Sequence, residues 1–538
     1  MSVFIGYPSF MAYQMMKGKK DNNEGFPPIP GTIARYSALG LTNEQMAANP
    51  VWKDLTGNGH DLQMKNFAWK GMSGVGGYGD ENYQTFYKFT LDDYVFIATP
   101  PGVKHMNFTF RVTGLQPGNK LTLAFFGTTN TVYGTWNKDG IYTVDADIVE
   151  AGKPTYFYNG YSATRGEFTI EILPLYPGAL VFDGVNDYGT CDNFPILTKE
   201  KGYTVVALRQ WIEEKNSITA LVSNSKNWNR DGAFIWEYNN LENNYPNLEI
   251  SFGSNTNLGR EKSSFTYQTS ELYNGKEIKF GEFLGSDKLI VAKANENLSP
   301  CSNVAIWELV FLDHDATEEE LTKIKDYFVK TYPWLFPDQA WTVTGKTNED
   351  EDRATIANIT GNGNDLVLSN FGFAEGSGYN EEGEYDGYLV TDGVDDKIVS
   401  STFKLGKDFT VVGEWEFLQD INNNSGLRKT SSFIIRNNAS GLSLFINRTS
   451  QATTVFNVKS LKACCSNGLL VKNDWTEQID TVSQIVTSSN SKLSIACRDD
   501  GVTEYDKFAF KNLAIYPMVL SKDDCIKAYN YLQTLKAK

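Results

Sequence analysis

One seven-residue pattern occurs twice in this chain of 538 residues, and it is accompanied by a second repeat at the same spacing. Residues 56–62 (Thr-Gly-Asn-Gly-His-Asp-Leu) recur at 360–366, an offset of 304. Residues 66–69 (Asn-Phe-Ala-Trp) recur at 370–373 (Asn-Phe-Gly-Phe) with that same offset. Repeats at a fixed spacing indicate that one structural unit is used more than once.

The later repeats have a shorter offset. Residues 183–187 (Asp-Gly-Val-Asn-Asp) recur at 392–396, and residues 303–307 (Asn-Val-Ala-Ile-Trp) recur at 512–516, both at an offset of 209. The offset falls by 95 residues, which is the size of a small domain. The sequence therefore predicts one fold used twice, with an insert in the first copy after residue 78 and before residue 179.

Strand-like segments predominate in both copies and in the insert. Residues 203–208 (Tyr-Thr-Val-Val-Ala-Leu) match residues 409–414 (Phe-Thr-Val-Val-Gly-Glu), and β-branched and aromatic residues favour pleated strands. Short strands separated by turn residues in the insert predict a small antiparallel sandwich. Three short helices are predicted by N-cap patterns at Thr42, Thr317 and Ser521.

Composition excludes several classes of function. The net charge of −16 and the pI near 4.9 disfavour direct contact with nucleic-acid phosphates. No run of 18 apolar residues occurs, so no membrane insertion is expected, and no secretory signal is recognised. The six cysteines are too irregularly spaced to predict a disulfide scaffold.

Residues 1–32 have the character of an arm and linker. Four large apolar residues are the attachment candidates: Tyr7, Phe10, Met11 and Tyr13. They precede a proline-rich stretch, residues 26–30, which predicts an extended connector. An apolar arm before a stiff linker predicts docking onto another protein; the alternative is that it packs back on its own domain.

The order of motifs resembles the concanavalin A-like (laminin G-like) jelly roll. The Asp-Gly-Val-Asn/Asp-Asp turn, the Thr-Val-Val strand, the late Asn-x-Ala-Ile-Trp/Tyr strand and a final short helix carry the resemblance. Residues 40–78 resemble structural proteins of phages and prophages of gut Bacteroidales. The implied fold is all-β: two concanavalin A-like jelly-roll sandwiches, the first interrupted by a small β-sandwich insert, with few short helices.

The implied domain boundaries follow from the repeats and the resemblance together. Residues 1–32 form the attachment arm and linker. Residues 33–80 plus 177–336 form jelly-roll domain 1, and residues 81–176 form the inserted sandwich. Residues 340–538 form jelly-roll domain 2.

Four aromatic residues in the first copy are candidates for stacking on sugar rings. Trp228 lies in a polar loop, and Trp236, Tyr238 and Tyr245 follow it. Loops on a rigid sandwich often carry binding sites. The alternative is that these residues fill the core or stabilise strands.

The two Asp-Gly turns are candidates for calcium ligation. Asp183 and Asp187 in the first copy, and Asp392 and Asp396 in the second, supply the hard oxygen donors that Ca²⁺ prefers. Carbohydrate-binding members of the resembling family often carry such an ion. The alternative is an ordinary capped turn, which needs no metal.

Patterns of catalytic residues are sparse. The three histidines, His60, His105 and His314, match no His-Glu-x-x-His or paired-histidine spacing, which disfavours a histidine metal site or a Ser-His-Asp triad. Jelly-roll glycosidases that resemble this fold carry Glu-x-Asp-x-x-Glu along one strand. The nearest match is Glu414-Trp415-Glu416, and we predict that its two carboxylates lie on opposite faces of the strand. A non-enzymatic protein is therefore expected.

The resemblance implies a structural protein at the surface of a virion: a head fibre, a tail fibre or a capsid decoration protein. Its arm is expected to bind other virion proteins, and its lectin-like domains to bind glycans of the host surface or of mucus. A homo-oligomer is expected. The first copy is expected to make the specific contacts and the second to act as spacer or second adhesive head. A bacterial carbohydrate-binding lectin or adhesin is the alternative, and a glycoside hydrolase is a third hypothesis.

Overall fold

The structure is a computed structural model, and it describes the following residues. They are 25–78, 86–89, 94–97, 105–116, 118–125, 131–147, 155–159, 168–197, 200–213, 219–224, 235–240, 245–251, 255–257, 263–277, 286–294, 300–383, 385–419, 424–429, 432–438, 441–446, 452–456, 460–479, 489–497 and 505–537. Within them, no helix is long and apolar enough to cross a membrane.

The first copy starts before the insert and continues after it. Its elements before the insert are β1 (Thr32–Ser37), α1 (Asn43–Ala48), β2 (Val51–Trp52), β3 (Leu62–Lys65) and β4 (Gly74–Val75). The insert contains β5 (Phe86–Phe89), β6 (Tyr94–Ile97), β7 (His105–Thr113), β8 (Leu121–Phe125), β9 (Thr131–Trp136), β10 (Gly140–Asp147), β11 (Thr155–Asn159) and β12 (Phe168–Ile172).

After the insert, the first copy ends on a long strand and a helix. Its elements here are β13 (Leu180–Asp183), β14 (Tyr188–Cys191), β15 (Thr204–Glu213), β16 (Val222–Ser223), β17 (Ile235–Asn240), β18 (Tyr245–Ser251), β19 (Asn255–Asn257), β20 (Phe265–Thr269), β21 (Leu272–Tyr273), β22 (Lys276–Glu277), β23 (Leu289–Val291), β24 (Asn303–Leu312) and α2 (Glu318–Thr331). A 3-10 turn, Pro333–Leu335, follows.

The second copy also ends on a long strand and a helix. Its elements are β25 (Gln339–Thr342), β26 (Thr355–Ile356), β27 (Leu366–Ser369), β28 (Gly378–Tyr379), β29 (Leu389–Val390), β30 (Lys397–Ser400), β31 (Phe403–Leu405), β32 (Thr410–Phe417), β33 (Asn424–Lys429), β34 (Phe433–Asn438), β35 (Gly441–Ile446), β36 (Ala452–Phe456), β37 (Leu461–Cys465), β38 (Leu469–Lys472), β39 (Glu477–Ile479), β40 (Ser489–Ser491), β41 (Leu493–Ile495), β42 (Phe508–Tyr516) and α3 (Lys522–Gln533).

Both copies are sandwiches of two antiparallel sheets with the same strand order. In the first copy one sheet has the order β22-β21-β20-β15-β24-β13, with β1 also on β24, and the other has the order β19-β18-β17-β16-β23-β14-β3-β2. In the second copy the orders are β39-β38-β37-β32-β42-β29, with β25 also on β42, and β36-β35-β34-β33-β41-β30-β27-β26. This strand-for-strand match confirms that one all-β fold is used twice.

The insert is a small sandwich of its own, as the sequence predicts. Its two four-stranded sheets have the orders β10-β7-β12-β5 and β6-β11-β8-β9. Its described core is rich in aromatic rings: the ring of Phe110 lies 4.9 Å from that of Trp136 and 5.0 Å from that of Phe157. Aromatic rings at such distances add stabilisation beyond the area they bury.

The described residues divide into two compact units. Unit one is drawn from Met1–Trp69, Gly178–Arg260 and Phe265–Thr331, and unit two from Lys70–Pro177, Glu261–Ser264 and Tyr332–Lys538. The insert and the second copy thus belong to one compact unit. The predicted domain boundaries remain predictions, because a compact unit reflects packing and not independent folding.

The predicted match of residues 303–307 with 512–516 is wrong in register. In the ladders, Ile306 lies opposite Leu180, and Phe510 lies opposite Leu389, the counterpart of Leu180 at the offset of 209. Ile306 therefore corresponds to Phe510, an offset of 204. A β-bulge at Trp307 and at Lys511 fixes the same alignment. The two five-residue motifs resemble each other because strand sequences alternate with a period of two, so their similarity does not fix the register. A shift of one residue in the register moves every side chain to the other face of the sheet.

A buried ion pair holds α2 against the outer face of the first copy's sheet. Arg35 on β1 and Glu308 on β24 have side chains that are 1% and 0% exposed, and Nε of Arg35 lies 3.0 Å from Oε2 of Glu308. The hydroxyl of Tyr327 in α2 accepts a hydrogen bond from Arg35 at 2.7 Å and donates one to Glu308 at 3.1 Å. The guanidinium also lies over the ring of Phe26, 4.3 Å from its centroid. Burial of the charges is tolerated because each is hydrogen-bonded.

We expect Glu308→Gln to lower the free energy of unfolding by about 3–5 kcal/mol, because it leaves the buried Arg35 guanidinium without its counter-charge. Chemical denaturation measures this value. The matched control is Glu171→Gln, which breaks the pair with Arg111, whose side chains are 33% (Arg111) and 30% (Glu171) exposed. That control should cost at most about 1 kcal/mol. Equal costs for the two substitutions would contradict the importance of burial.

Candidate functional site

Several of the predicted site residues are not tested by the structure. Trp228 and the attachment candidates Tyr7, Phe10, Met11 and Tyr13 lie outside the described residues. Trp236 and Tyr238 lie on β17, and Tyr245 begins β18, opposite Asn240. The role of these three residues in sugar binding stays a prediction.

The four predicted calcium ligands form a hydrogen-bonded turn in each copy, here called the acidic turn (residues 183–187 and 392–396). In the first copy Asp183 Oδ1 accepts from Val185 N at 2.7 Å, and Asp187 Oδ2 accepts from Asp183 N at 3.2 Å. In the second copy Asp392 Oδ1 accepts from Val394 N, and Asp396 Oδ2 accepts from Asp392 N, both at 2.8 Å. The carboxylate oxygens thus accept hydrogen bonds from backbone N–H groups of the same turn, as the aspartate side chain does in an Asx turn.

The acidic turns of the two copies differ in charge. Asp395 stands where the first copy has Asn186, so carboxylate oxygens of Asp392, Asp395 and Asp396 lie within 4.8 Å of one another. Burial raises the pKa of Asp396 to about 6, although hydrogen bonds from Asp392 N and Ser377 oppose the shift. The calcium site remains a prediction, and the described hydrogen bonds account for the turn without an ion.

A second turn adjoins the acidic turn in each copy. This aromatic turn comprises residues 66–69 (Asn-Phe-Ala-Trp) and 370–373 (Asn-Phe-Gly-Phe). Its asparagine ties it to the acidic turn: Asn66 Nδ2 donates to the backbone oxygen of Asn186, and Asn370 Nδ2 to that of Asp395, both at 3.0 Å. The two copies therefore keep the same connection between two turns that are far apart in sequence.

The last residue of the aromatic turn is strained in both copies. Trp69 has φ of 55° and Phe373 has φ of 48°, values in the left-handed region. A bulky side chain there is an outlier and costs about 1–2 kcal/mol. The rings are half-buried: Trp69 stacks on Phe67 at 4.6 Å, and Arg353 lies over the ring of Phe373 at 5.1 Å. Strain that is kept at equivalent positions points to a functional constraint.

An exposed valine completes the surface around each aromatic turn. Val185 and Val394, at the tips of the acidic turns, are each 70% exposed. We call the acidic and aromatic turns together the joint site. It presents a half-exposed ring, an apolar tip, and carboxylate and amide groups. Sequence reasoning found both repeats but treated residues 66–69 and 370–373 only as markers of duplication; the shared asparagine and the final aromatic residue were the available signal.

The predicted placement of Glu414 and Glu416 on opposite faces is wrong. On β32, Trp415 and Phe417 are buried in the core, whereas Glu414 and Glu416 are both partly exposed. Side chains two residues apart share a face of a strand, since the period is two. Both carboxylates therefore lie on the outer face of the sheet, where α3 packs.

Comparisons with known proteins place the chain in no family, because no protein-family model and no curated protein matches it. Among solved structures it is similar to Trypanosoma rangeli sialidase in complex with sialic acid, at 10% identity over 76% of this chain and 68% of that chain, with a TM-score of 0.24. It is also similar to the binding domain of botulinum neurotoxin serotype G, at 10% identity over 64% and 92% of the respective chains, with a TM-score of 0.24.

The chain spans about half the length of another matching sialidase chain, in complex with 2,3-difluoro-KDN, with 9% identity over 48% of each chain and a TM-score of 0.24. At TM-scores this low the similarity carries no argument about this chain.

We expect calcium at about 10⁻³ M, the range of weak extracellular sites, to leave the thermal midpoint of unfolding unchanged relative to chelator. The reason is that Oδ1 of Asp392 and both carboxylate oxygens of Asp396 already accept hydrogen bonds. Differential scanning calorimetry measures this, with Asp395→Asn as the matched variant that gives the second copy the residue of the first. A calcium-dependent rise that Asp395→Asn abolishes would overturn the expectation.

Proposed function

We propose that the chain is a non-enzymatic structural protein of a phage virion, a head fibre, tail fibre or capsid decoration protein, that adheres to glycans of the host surface or of mucus. The phage assignment is supported by the resemblance of residues 40–78. The adhesive role is supported by the joint site. In this proposal the protein lies on the virion surface as a homo-oligomer and is attached to other virion proteins through residues 1–32.

The observation that carries the adhesive role is the strained aromatic residue that recurs in both copies. Gly or Asn would tolerate this positive φ at lower cost, and only part of each ring packs: Trp69 stacks on Phe67, and Phe373 packs against the core of the second copy. In this proposal the exposed part of each half-buried ring contacts the ligand. An aromatic face beside carboxylate and amide groups suits a sugar, because its C–H face can stack while its hydroxyl groups bond to the polar rim.

Two joint sites in one chain favour a multivalent adhesin. Glycan surfaces repeat the same epitope, and a second contact on a tethered chain forms at high effective concentration. Weak individual contacts then suffice for attachment. A free bacterial lectin or adhesin uses the same chemistry, and the assembly experiment below distinguishes it from a virion protein.

The third hypothesis, a glycoside hydrolase, has a candidate pair of carboxylates, because Glu414 and Glu416 share a face of β32. Retaining enzymes hold two carboxyl groups about 5 Å apart. Release of reducing sugar from a polysaccharide, lost in Glu414→Gln, would replace the non-enzymatic proposal with this one.

We expect Trp69→Ala or Phe373→Ala to weaken binding to mucin about threefold to tenfold, and the double variant to weaken it further, because stacking contributes about 0.5–1.5 kcal/mol per ring. Surface plasmon resonance on immobilised mucin measures the affinities. Val367→Ala is the control, since Val367 is exposed on β27 and belongs to neither turn. Unchanged affinity in the double variant would contradict the role of the joint site.

We expect deletion of residues 1–25 to abolish incorporation into particles while the rest of the chain stays folded, because the apolar arm is the proposed attachment segment. Particle composition after purification, together with circular dichroism of the deleted chain, tests this. Normal incorporation would contradict attachment by the arm, and a folded, glycan-binding chain that never enters particles would favour the free lectin.

A further inference from the structure

The outer face of the second copy's sheet carries a cluster of charged and polar side chains beside α3. Tyr388 donates a hydrogen bond to Glu414 Oε1 at 2.8 Å, and Lys462 Nζ lies 3.9 Å from the same oxygen. The side chains of Lys462 and Glu414 are 15% and 20% exposed. Lys511, on the β-bulge of β42, extends over the ring of Tyr388 at 5.4 Å. Bulges often re-aim a side chain beside a functional site.

The corresponding face of the first copy is closed by the Arg35–Glu308 pair. In the ladders, Arg35 lies opposite Val310 and Ala340 lies opposite Ala514, so Ala340 takes the place of Arg35. Likewise Leu208 pairs with Glu308, and Glu414 pairs with Asn512. The second copy has therefore exchanged a self-contained ion pair for an alanine and an asparagine, and has gained a carboxylate beside them.

Asn512 is the unusual member of this cluster. Its side chain is 0% exposed, and neither its amide nitrogen nor its amide oxygen has a hydrogen-bond partner among the described residues. A buried amide without partners is costly, and native proteins keep such groups rarely. As the ladder partner of Glu414, Asn512 lies directly beside that residue, because paired side chains are close neighbours across a strand pair.

We propose that this polar basin, formed by Glu414, Glu416, Lys462, Lys511, Asn512 and Tyr388, is a second binding site, in which the amide of Asn512 receives a hydroxyl group of a neutral saccharide. A hydroxyl group both donates and accepts, as the amide does. An anion would meet Glu414 and Glu416, and a cation would meet the two lysines. Lys462 is held by Tyr529 of α3, to whose hydroxyl it donates a hydrogen bond at 2.5 Å and whose ring it lies over at 4.0 Å. The flexible stem of Lys511 can move aside to admit the ligand.

The choice of saccharide rests on the proposed adhesive function, whereas the basin itself rests on the contacts above. It assigns specific recognition to the second copy, in contrast to the expectation from sequence that the first copy makes the specific contacts.

Asn512→Leu tests the proposal in the full chain, with neutral oligosaccharides released from mucin as the probe. We expect affinity, measured by isothermal titration calorimetry, to fall about tenfold or more. We also expect the denaturation midpoint to rise, because an unpartnered buried amide is removed. A residue with a purely structural role would not combine lost binding with gained stability. Glu477→Gln, on exposed β39 of the same sheet, is the control and should change neither value.

The other outcomes overturn the proposal in distinguishable ways. Unchanged affinity with raised stability would mean that Asn512 holds only buried water. Lowered stability would mean that the amide has a structural partner. If Asn512→Leu does not fold, Glu416→Gln and Lys511→Met at the rim must each weaken binding, and unchanged affinity in either variant overturns the basin. Binding that is lost in the Trp69→Ala, Phe373→Ala double variant but kept in the basin variants overturns the basin alone. No binding by the unaltered chain overturns the adhesive function and the basin together.

Discussion

Both copies depend on one long central strand that pairs along its whole length on both sides. β24 pairs with β15 on one side and with β13 and β1 on the other, and β42 is flanked in the same way by β32, β29 and β25. The inner face of each central strand fills the core, and its outer face supports a helix. Because a strand alternates faces at every residue, the register of this one strand decides which side chains are core and which meet the helix.

The two copies use that outer face differently. In the first copy Arg35, Glu308 and Tyr327 satisfy one another, so the helix is fixed by a network that is closed to solvent. In the second copy the equivalents of Arg35 and Glu308 are Ala340 and Asn512, and the polar groups are displaced toward the rim at Glu414 and Lys462. Burial acts to raise the pKa of Glu414, but the ammonium groups of Lys462 and Lys511, together with hydrogen bonds from Tyr388 and Tyr529, lower it overall. Duplication has thus preserved the sandwich while freeing one copy's sheet face to change.

The acidic and aromatic turns, in contrast to the outer sheet face, have been preserved in both copies. The asparagine bridges of 3.0 Å, the exposed valines and the left-handed aromatic residues are nearly the same in both copies. Core residues are constrained by packing, whereas Trp69 and Phe373 pack with only part of their rings and leave the rest exposed. A feature that is costly and exposed, and yet repeated, is the stronger sign of recognition.

The sequence by itself determined the duplication, the insert, the all-β class and the helix starts, because these depend on local signals. The predicted N-caps are examples: Thr42, Thr317 and Ser521 each accept a hydrogen bond from a backbone N–H three residues on. Only the tertiary structure decided the register of the central strands and the joining of the acidic and aromatic turns, whereas the shared face of Glu414 and Glu416 follows from the strand period of two alone. The physical reason is range: the contact between Arg35 and Glu308 spans 273 residues, and no periodicity within a strand specifies a partner so far away. The repeat at residues 56–62 and 360–366 revealed that a fold was used twice, but only the strand pairing revealed at which positions the two copies differ.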